Sequence, residues 1–276
     1  MSILLVIVNW LLPLLYLALL VDYGATFFLR TKAQVRNPWL IPVLGIHAIF
    51  LVLRSIRLGQ PPLTDTYEIL SVLALLTAAV YAMVEFSSRD RRTGMFVFLL
   101  VFLFQYTSSN FLAGTIMAEG GAEADMQSAG WGRLHIVPAL VAYTALAISA
   151  VYGLLHLLAE RNLRKHRFGV LFDRLPSLDL LGRMTWHTLL GGFIFITITM
   201  ITGPLMFDHE GSGAQVQSLD AKVTAKIVIG SIAWLIYVVA VVGKLLGKWP
   251  SRRISSIAVS GFVVIMILLI VSGLLS

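Results

Sequence analysis

Apolar residues run continuously through eight stretches of this chain: 3–21, 40–58, 69–86, 95–117, 134–159, 185–207, 223–246 and 254–275. Each is close to the ~20 residues that an α-helix needs to cross a bilayer. The runs lack the alternation of period two that a membrane-spanning barrel strand would show, so a barrel is excluded. The pattern predicts an all-α polytopic membrane bundle of about eight transmembrane helices, read as a single transmembrane domain over 1–276. The first run is read as a retained span. No basic residue precedes it and no small-residue cleavage site follows it.

The polar positions between the runs alternate in sign. Arg30, Lys32 and Arg36 follow the first run, and Arg89, Arg91 and Arg92 the third. Arg161, Arg164, Lys165, Arg167, Arg174 and Arg183 follow the fifth, and Lys244, Lys248, Arg252 and Arg253 lie at or after the end of the seventh. Cytoplasmic links carry an excess of Lys and Arg, which places these four inside. The other links hold Asp65 and Glu68, then Glu119, Glu123 and Asp125, then Asp208, Glu210 and Asp220. They face outward, and with them both termini. In the long fifth link, Leu171, Phe172, Leu175, Leu178 and Leu181 suit an amphipathic segment along the surface. Pro176 and Ser177 mark a helix start leading into the sixth span.

Composition agrees with a membrane protein: 58% of the 276 residues are hydrophobic and 13% charged, and the mean hydropathy is +0.87. The formal charge of +7 would suit a nucleic-acid binder. Its cations, however, sit in or beside the links, where they report topology, so a lipid bilayer and not nucleic acid is the expected partner. With no cysteine, the chain can neither exchange thiols nor bind metal through thiolate.

Candidate chemistry begins in the second run. His47 lies at its middle and Arg54 seven residues on, which returns to nearly the same face about 10 Å further along the axis. An ionisable side chain inside a span reads as a functional site by default. Neutral imidazole ligates iron and guanidinium grips carboxylates, so the pair suits a flat ligand with a central metal and a carboxylate edge, such as haem. The competing reading is an interfacial arginine and a histidine hydrogen-bonded to a neighbouring helix. By depth, His135 lies at the outer end of the fifth span, His187 near the inner end of the sixth and His209 just past its outer end. His156 lies near the inner end of the fifth span, and His166 sits among basic residues of a link. The histidines therefore sort into an outer pair, His135 with His209, and an inner or mid-depth pair, His47 with His187. Gln105 to Asn110 form a polar stretch in the fourth span, which together with the histidines also suits a proton pathway.

Several pieces, in order, resemble the cytochrome c assembly family of membrane proteins, the group that includes CcsA, CcmC and the HemX-like proteins. They are His47 to Glu68 with its arginines, prolines and Tyr67-Glu68; Leu134-His135 followed by Tyr143 and Gly153; and Leu175-Pro176-Ser177-Leu178-Asp179 leading to His187, Gly191-Gly192-Phe193 and Thr202-Gly203. Trp234-Leu235-Ile236-Tyr237 followed by Trp249 and Arg252-Arg253 completes the set. The resemblance implies haem handling at the outer face of a bacterial inner membrane or an organellar equivalent, with His135 as an outer haem ligand. His47, His187 and His209 resemble histidines of the HemX-like branch. The tryptophan-rich external motif of the ligase-like members is absent between Phe207 and Val223, and Lys244 stands where those members carry histidine. The combined expectation is a protein that binds haem b through His47, His135, His187 and His209, with Arg54 on a propionate. It would support cytochrome c or haem biogenesis beside other maturation or membrane proteins, without itself attaching haem. Proton-coupled transport through buried histidines, or a non-catalytic subunit stabilising a partner complex, are the alternatives.

Overall fold

The computed structural model describes residues 2–29, 37–59, 62–63, 66–118, 129–166, 174–210 and 221–274. Among them are eight helices long and apolar enough to cross a membrane: α1 Ser2–Leu29, α2 Leu40–Leu58, α3 Thr66–Ser88, α4 Gly94–Ala118, α5 Ala129–Arg164, α6 Leu178–Glu210, α7 Ala221–Leu245 and α8 Ser251–Leu274. No strand occurs among the described residues. The polytopic helix bundle expected from the hydropathy pattern is therefore the observed architecture.

Where helix ends depart from the apolar runs, polar side chains account for it. α1 continues past Val21 because Asp22 finds partners: its carboxylate accepts from Asn37 Nδ2 at 2.8 Å and Arg91 Nη2 at 3.0 Å. α6 begins seven residues before the sixth apolar run, where the Leu180 amide donates to the Ser177 side chain at 3.3 Å, the N-capping role of serine. Leu171 and Phe172, at one end of the proposed surface segment, lie outside the described residues.

Two compact units account for the chain. The first comprises Met1–Met126 with Asp173–Pro176, and the second Gln127–Phe172 with Ser177–Ser276. In the first, α1 packs on α2 and α4, and α3 on α2 and α4. Leu5, Leu12, Tyr16, Leu19, Tyr23 and Phe27 are all buried. Their steps of seven, four and three make one stripe down α1, the spacing of a helix packed along its length. In the second unit α5 is central, packing on both α6 and α8. Small residues let those backbones approach: a Cβ on Gly153 would lie 3.0 Å from the Ser255 carbonyl oxygen, and one on Gly192 2.7 Å from Leu146 Cγ. Close approach through small residues drives helix association where lipid is as apolar as the helices themselves.

Candidate functional site

A buried hydrogen-bond chain crosses all four helices of the first unit, and its direction can be read from its end. The carbonyl oxygen of Asn9 can only accept, so Ser109 Oγ donates to it at 2.8 Å. The Ser109 oxygen then accepts from Gln105 Nε2 at 3.1 Å, which leaves Gln105 Oε1 to accept from Ser71 Oγ at 3.1 Å. Ser71 has spent its proton and must accept from His47 Nε2, 3.0 Å away. His47 therefore carries its proton on Nε2, and Nδ1 accepts from the Tyr16 hydroxyl at 2.8 Å. A backbone carbonyl thus sets a histidine tautomer several side chains away. Both ring nitrogens are engaged in this fully buried imidazole, and metal ligation by His47 requires release of one of its two partners, Tyr16 or Ser71. The amide of Gln105 sits within the chain without an exchangeable hydroxyl proton, so the chain reads as a line of fixed dipoles rather than a relay.

One face of α2 also buries Arg54. Its Nε and Nη2 both donate to Glu68 Oε1 on α3, at 3.2 and 2.9 Å, and side-chain exposures of 1% and 2% make this an ion pair removed from water. The carboxylate that Arg54 grips here is internal. At the other end of α3, Glu85 is equally buried and accepts from the Tyr23 hydroxyl at 2.5 Å and the Asn37 amide at 2.8 Å. Arg91 joins the same end, donating to Asp22 and to Thr26 Oγ1. Tyr16, Asn9 and Glu85 were absent from the sequence reading. Glu85 was detectable there, being an acid inside an apolar run. Tyr16 and Asn9 were not, because one such side chain in a span has no visible partner until helices are assembled.

The second unit holds the remaining histidines. His135 lies in the early turns of α5, and its Nδ1 is buried with no hydrogen-bond partner. Gly203 on α6 faces it: a Cβ there would come within 3.3 Å of His135 Cε1 and 3.5 Å of Nδ1. His187 is exposed on α6, sixteen residues before Gly203 and so about 24 Å along the axis from it. His135 and His187 are thus kept at opposite ends of the unit. His209 follows Gly203 by six residues, about 9 Å of helix further toward the same end of α6; its side chain lies outside the described residues. His156 is buried, with its Nδ1 3.1 Å from Ser255 Oγ. Among the described residues, no three His, Asp or Glu side chains converge on a point that could hold a bare metal ion.

Similarity to a known family bears on the region beyond α2. The family model described as cytochrome C assembly protein matches residues 63–276. Cytochrome c biogenesis protein CcsA of Heterosigma akashiwo is 24% identical over 235 residues, covering 74% of this chain and 71% of that protein. CcsA of Guillardia theta is 25% identical over 236 residues, with 79% and 75% covered. Inner membrane protein YpjD of Escherichia coli K12 is 26% identical over 132 residues, with 48% and 47% covered. No solved structure matches. His135, His187 and His209 fall inside the family match, and His47 and Arg54 before it. With six of its eight helices inside that match, the chain belongs to the cytochrome c assembly protein family of multi-pass membrane proteins.

Proposed function

We propose that this protein handles haem b, as cargo, at the outer end of its second unit, in support of cytochrome c or haem biogenesis in a bacterial inner membrane. The observation that carries this reading is the buried, unpartnered Nδ1 of His135 opposite the bare backbone of Gly203. A buried polar atom without a partner costs about 1–3 kcal/mol, so its persistence in a membrane helix calls for a ligand. Neutral imidazole nitrogen is a common donor to haem iron, and the donor present fits the group that the family's role implies. His135 would hold the iron, and His209 stands at the same end of α6 as the candidate second histidine. His187 belongs to a separate position, where an exposed imidazole within a span is open to a ligand or a partner protein. In this reading His47 and Arg54 hold the first unit together. A role for either toward haem requires exchange of Tyr16 or Ser71 for iron, or of Glu68 for a propionate.

Haem handling, rather than covalent attachment, agrees with the absence of the external tryptophan-rich motif. Proton-coupled transport through His47 has less support, since its chain runs through an amide and ends on a main-chain carbonyl. The test is the absorption spectrum of protein purified from haem-replete cells, oxidised and reduced. A sharp reduced spectrum of histidine-ligated haem is expected, lost in His135→Ala protein that keeps its thermal midpoint. A colourless wild-type preparation would remove haem from the function. Reporter fusions after Arg36, Arg91, Arg167 and Arg252 should read cytoplasmic, and those after Asp65, Glu123 and Gly213 external, which places the His135 end outside.

A further inference from the structure

The other end of the second unit carries a feature that the haem reading does not use. Between the C-terminal end of α5 and the start of α8 lies a cleft of ≈ 560 Å³ lined by Glu160, Arg164, Trp249, Arg252 and Arg253 among others. A second cleft of ≈ 270 Å³ shares Glu160, Arg164 and Arg252 with it and adds Arg161 and Lys165. Among the described residues that line the two clefts, Glu160 supplies the one carboxylate. Glu160 accepts from Arg164 Nη2 at 2.7 Å and lies 3.6 Å from Arg252 Nε, while the Arg253 guanidinium rests over the Trp249 ring at 5.8 Å. The excess positive charge is exposed and reachable: the side chains of Arg164 and Arg252 are 62% and 56% accessible.

The link between α7 and α8 is built to present these groups. The Trp249 ring lies flat against the end of α7, where a Cβ on Gly243 would come within 2.4 Å of it. Lys244 Nζ donates to the Trp249 carbonyl at 3.3 Å. Arg252 and Arg253 then fall in the first turn of α8, which has no acidic residue. Cations at a helix N-terminus oppose its dipole, so this arrangement costs stability unless an anion lies across it. Such an anion would meet the dipole and the guanidinium groups together. The cleft lies where spans five and eight enter the interface, on the side that the basic links assign to the cytoplasm. Lipid head groups with negative charge are concentrated on that leaflet, and tryptophan is enriched at that depth.

We infer that this cleft binds the phosphate of an anionic phospholipid head group, held by Arg164, Arg252 and Arg253 with Trp249 along the upper acyl chain. The test uses the full-length protein in neutral detergent, with lipid retention read by native mass spectrometry after adding phosphatidylglycerol or phosphatidylcholine. Wild type should retain phosphatidylglycerol about tenfold better. R252Q/R253Q protein, altered at two exposed positions, should keep its thermal midpoint and fall to within about twofold of its phosphatidylcholine level. Arg183→Gln is the control: this arginine is 64% exposed on α6 and outside both clefts, and its loss should leave retention unchanged. No preference in wild type, or an equal loss in Arg183→Gln, would show diffuse surface charge and overturn the site. Displacement of the lipid by equimolar inorganic phosphate would assign the cleft to a free anion and overturn the lipid assignment.

Discussion

In the first unit, the side chains that meet at mid-span are Tyr16, His47, Ser71, Gln105 and Ser109, each passing a hydrogen bond to the next. In the second, the interior is lined by Ala142, Leu146, Leu189, Ala233, Tyr237 and Ala258, and helices touch through glycine. Both solve the problem of holding helices together in lipid, where burial of apolar surface gives little advantage over contact with acyl chains. Polar association is directional, and each donor used in it is no longer offered to a ligand. Buried polar atoms without a partner occur in both units: Asn9 Oδ1 and Thr93 Oγ1 in the first, and Thr144 Oγ1, Tyr237 Oη and His135 Nδ1 in the second. Of these, the imidazole nitrogen is the atom chemically suited to donate to a metal. His47 has both ring nitrogens engaged and His135 keeps one unengaged, so two histidines that look alike in sequence take different places in the proposed function.

The largest effect expected is at the buried ion pair. Glu68→Ala leaves Arg54 charged in the interior without its carboxylate and should destabilise by about 3–5 kcal/mol. This would be seen as a large fall in the thermal midpoint of purified protein, or as loss of folded yield, with partial recovery in Arg54→Leu/Glu68→Leu. A midpoint unchanged in Glu68→Ala would mean that the first unit is not held by its polar groups.

A direct contrast comes from exchanging the two histidines. His47→Leu strands the Tyr16 hydroxyl and the Ser71 oxygen, at a cost of about 1–3 kcal/mol, whereas His135→Ala strands nothing. Expected, therefore, is a stability loss without direct haem loss for the first and haem loss without stability loss for the second. The reverse outcome, scored by thermal midpoint and haem absorbance on the same preparations, would exchange their roles.

Gly153→Ala tests the other mode of packing. The added methyl meets main-chain oxygen of Ser255, which cannot rotate away, so α5 and α8 must separate at a cost of about 1–3 kcal/mol. The midpoint should fall while the spectrum of bound haem keeps its form. Tyr16→Phe should have the smallest effect, about 0.6 kcal/mol, typical of one interhelical hydrogen bond in a membrane. It also frees His47 Nδ1. Haem content is expected to stay constant, and a rise would show that His47 becomes a ligand once Tyr16 lets go.

Much of the fold was legible in advance because burial in lipid imposes length and continuity on each span. The run at 40–58 coincides with α2, and the Ser177 start of α6 was visible as a capping signal. Arg54 and Glu68 both stood out as ionisable groups at span ends, but that they are each other's partner was not visible. Side-chain identity shows the capacity to pair, while pairing depends on which helices are neighbours.

By itself, then, the amino-acid sequence determined the number of spans, the basic and acidic links between them and the family, since these depend on local hydropathy and on ordered short motifs. Tertiary structure decided that the contacts group into two units, that Tyr16 and Ser71 occupy both nitrogens of His47, and that His135 keeps one nitrogen unclaimed beside Gly203. The physical reason is range. Partition into a bilayer is settled one helix at a time, over about twenty residues, whereas a hydrogen bond is settled within about 3 Å between atoms that can be a hundred residues apart.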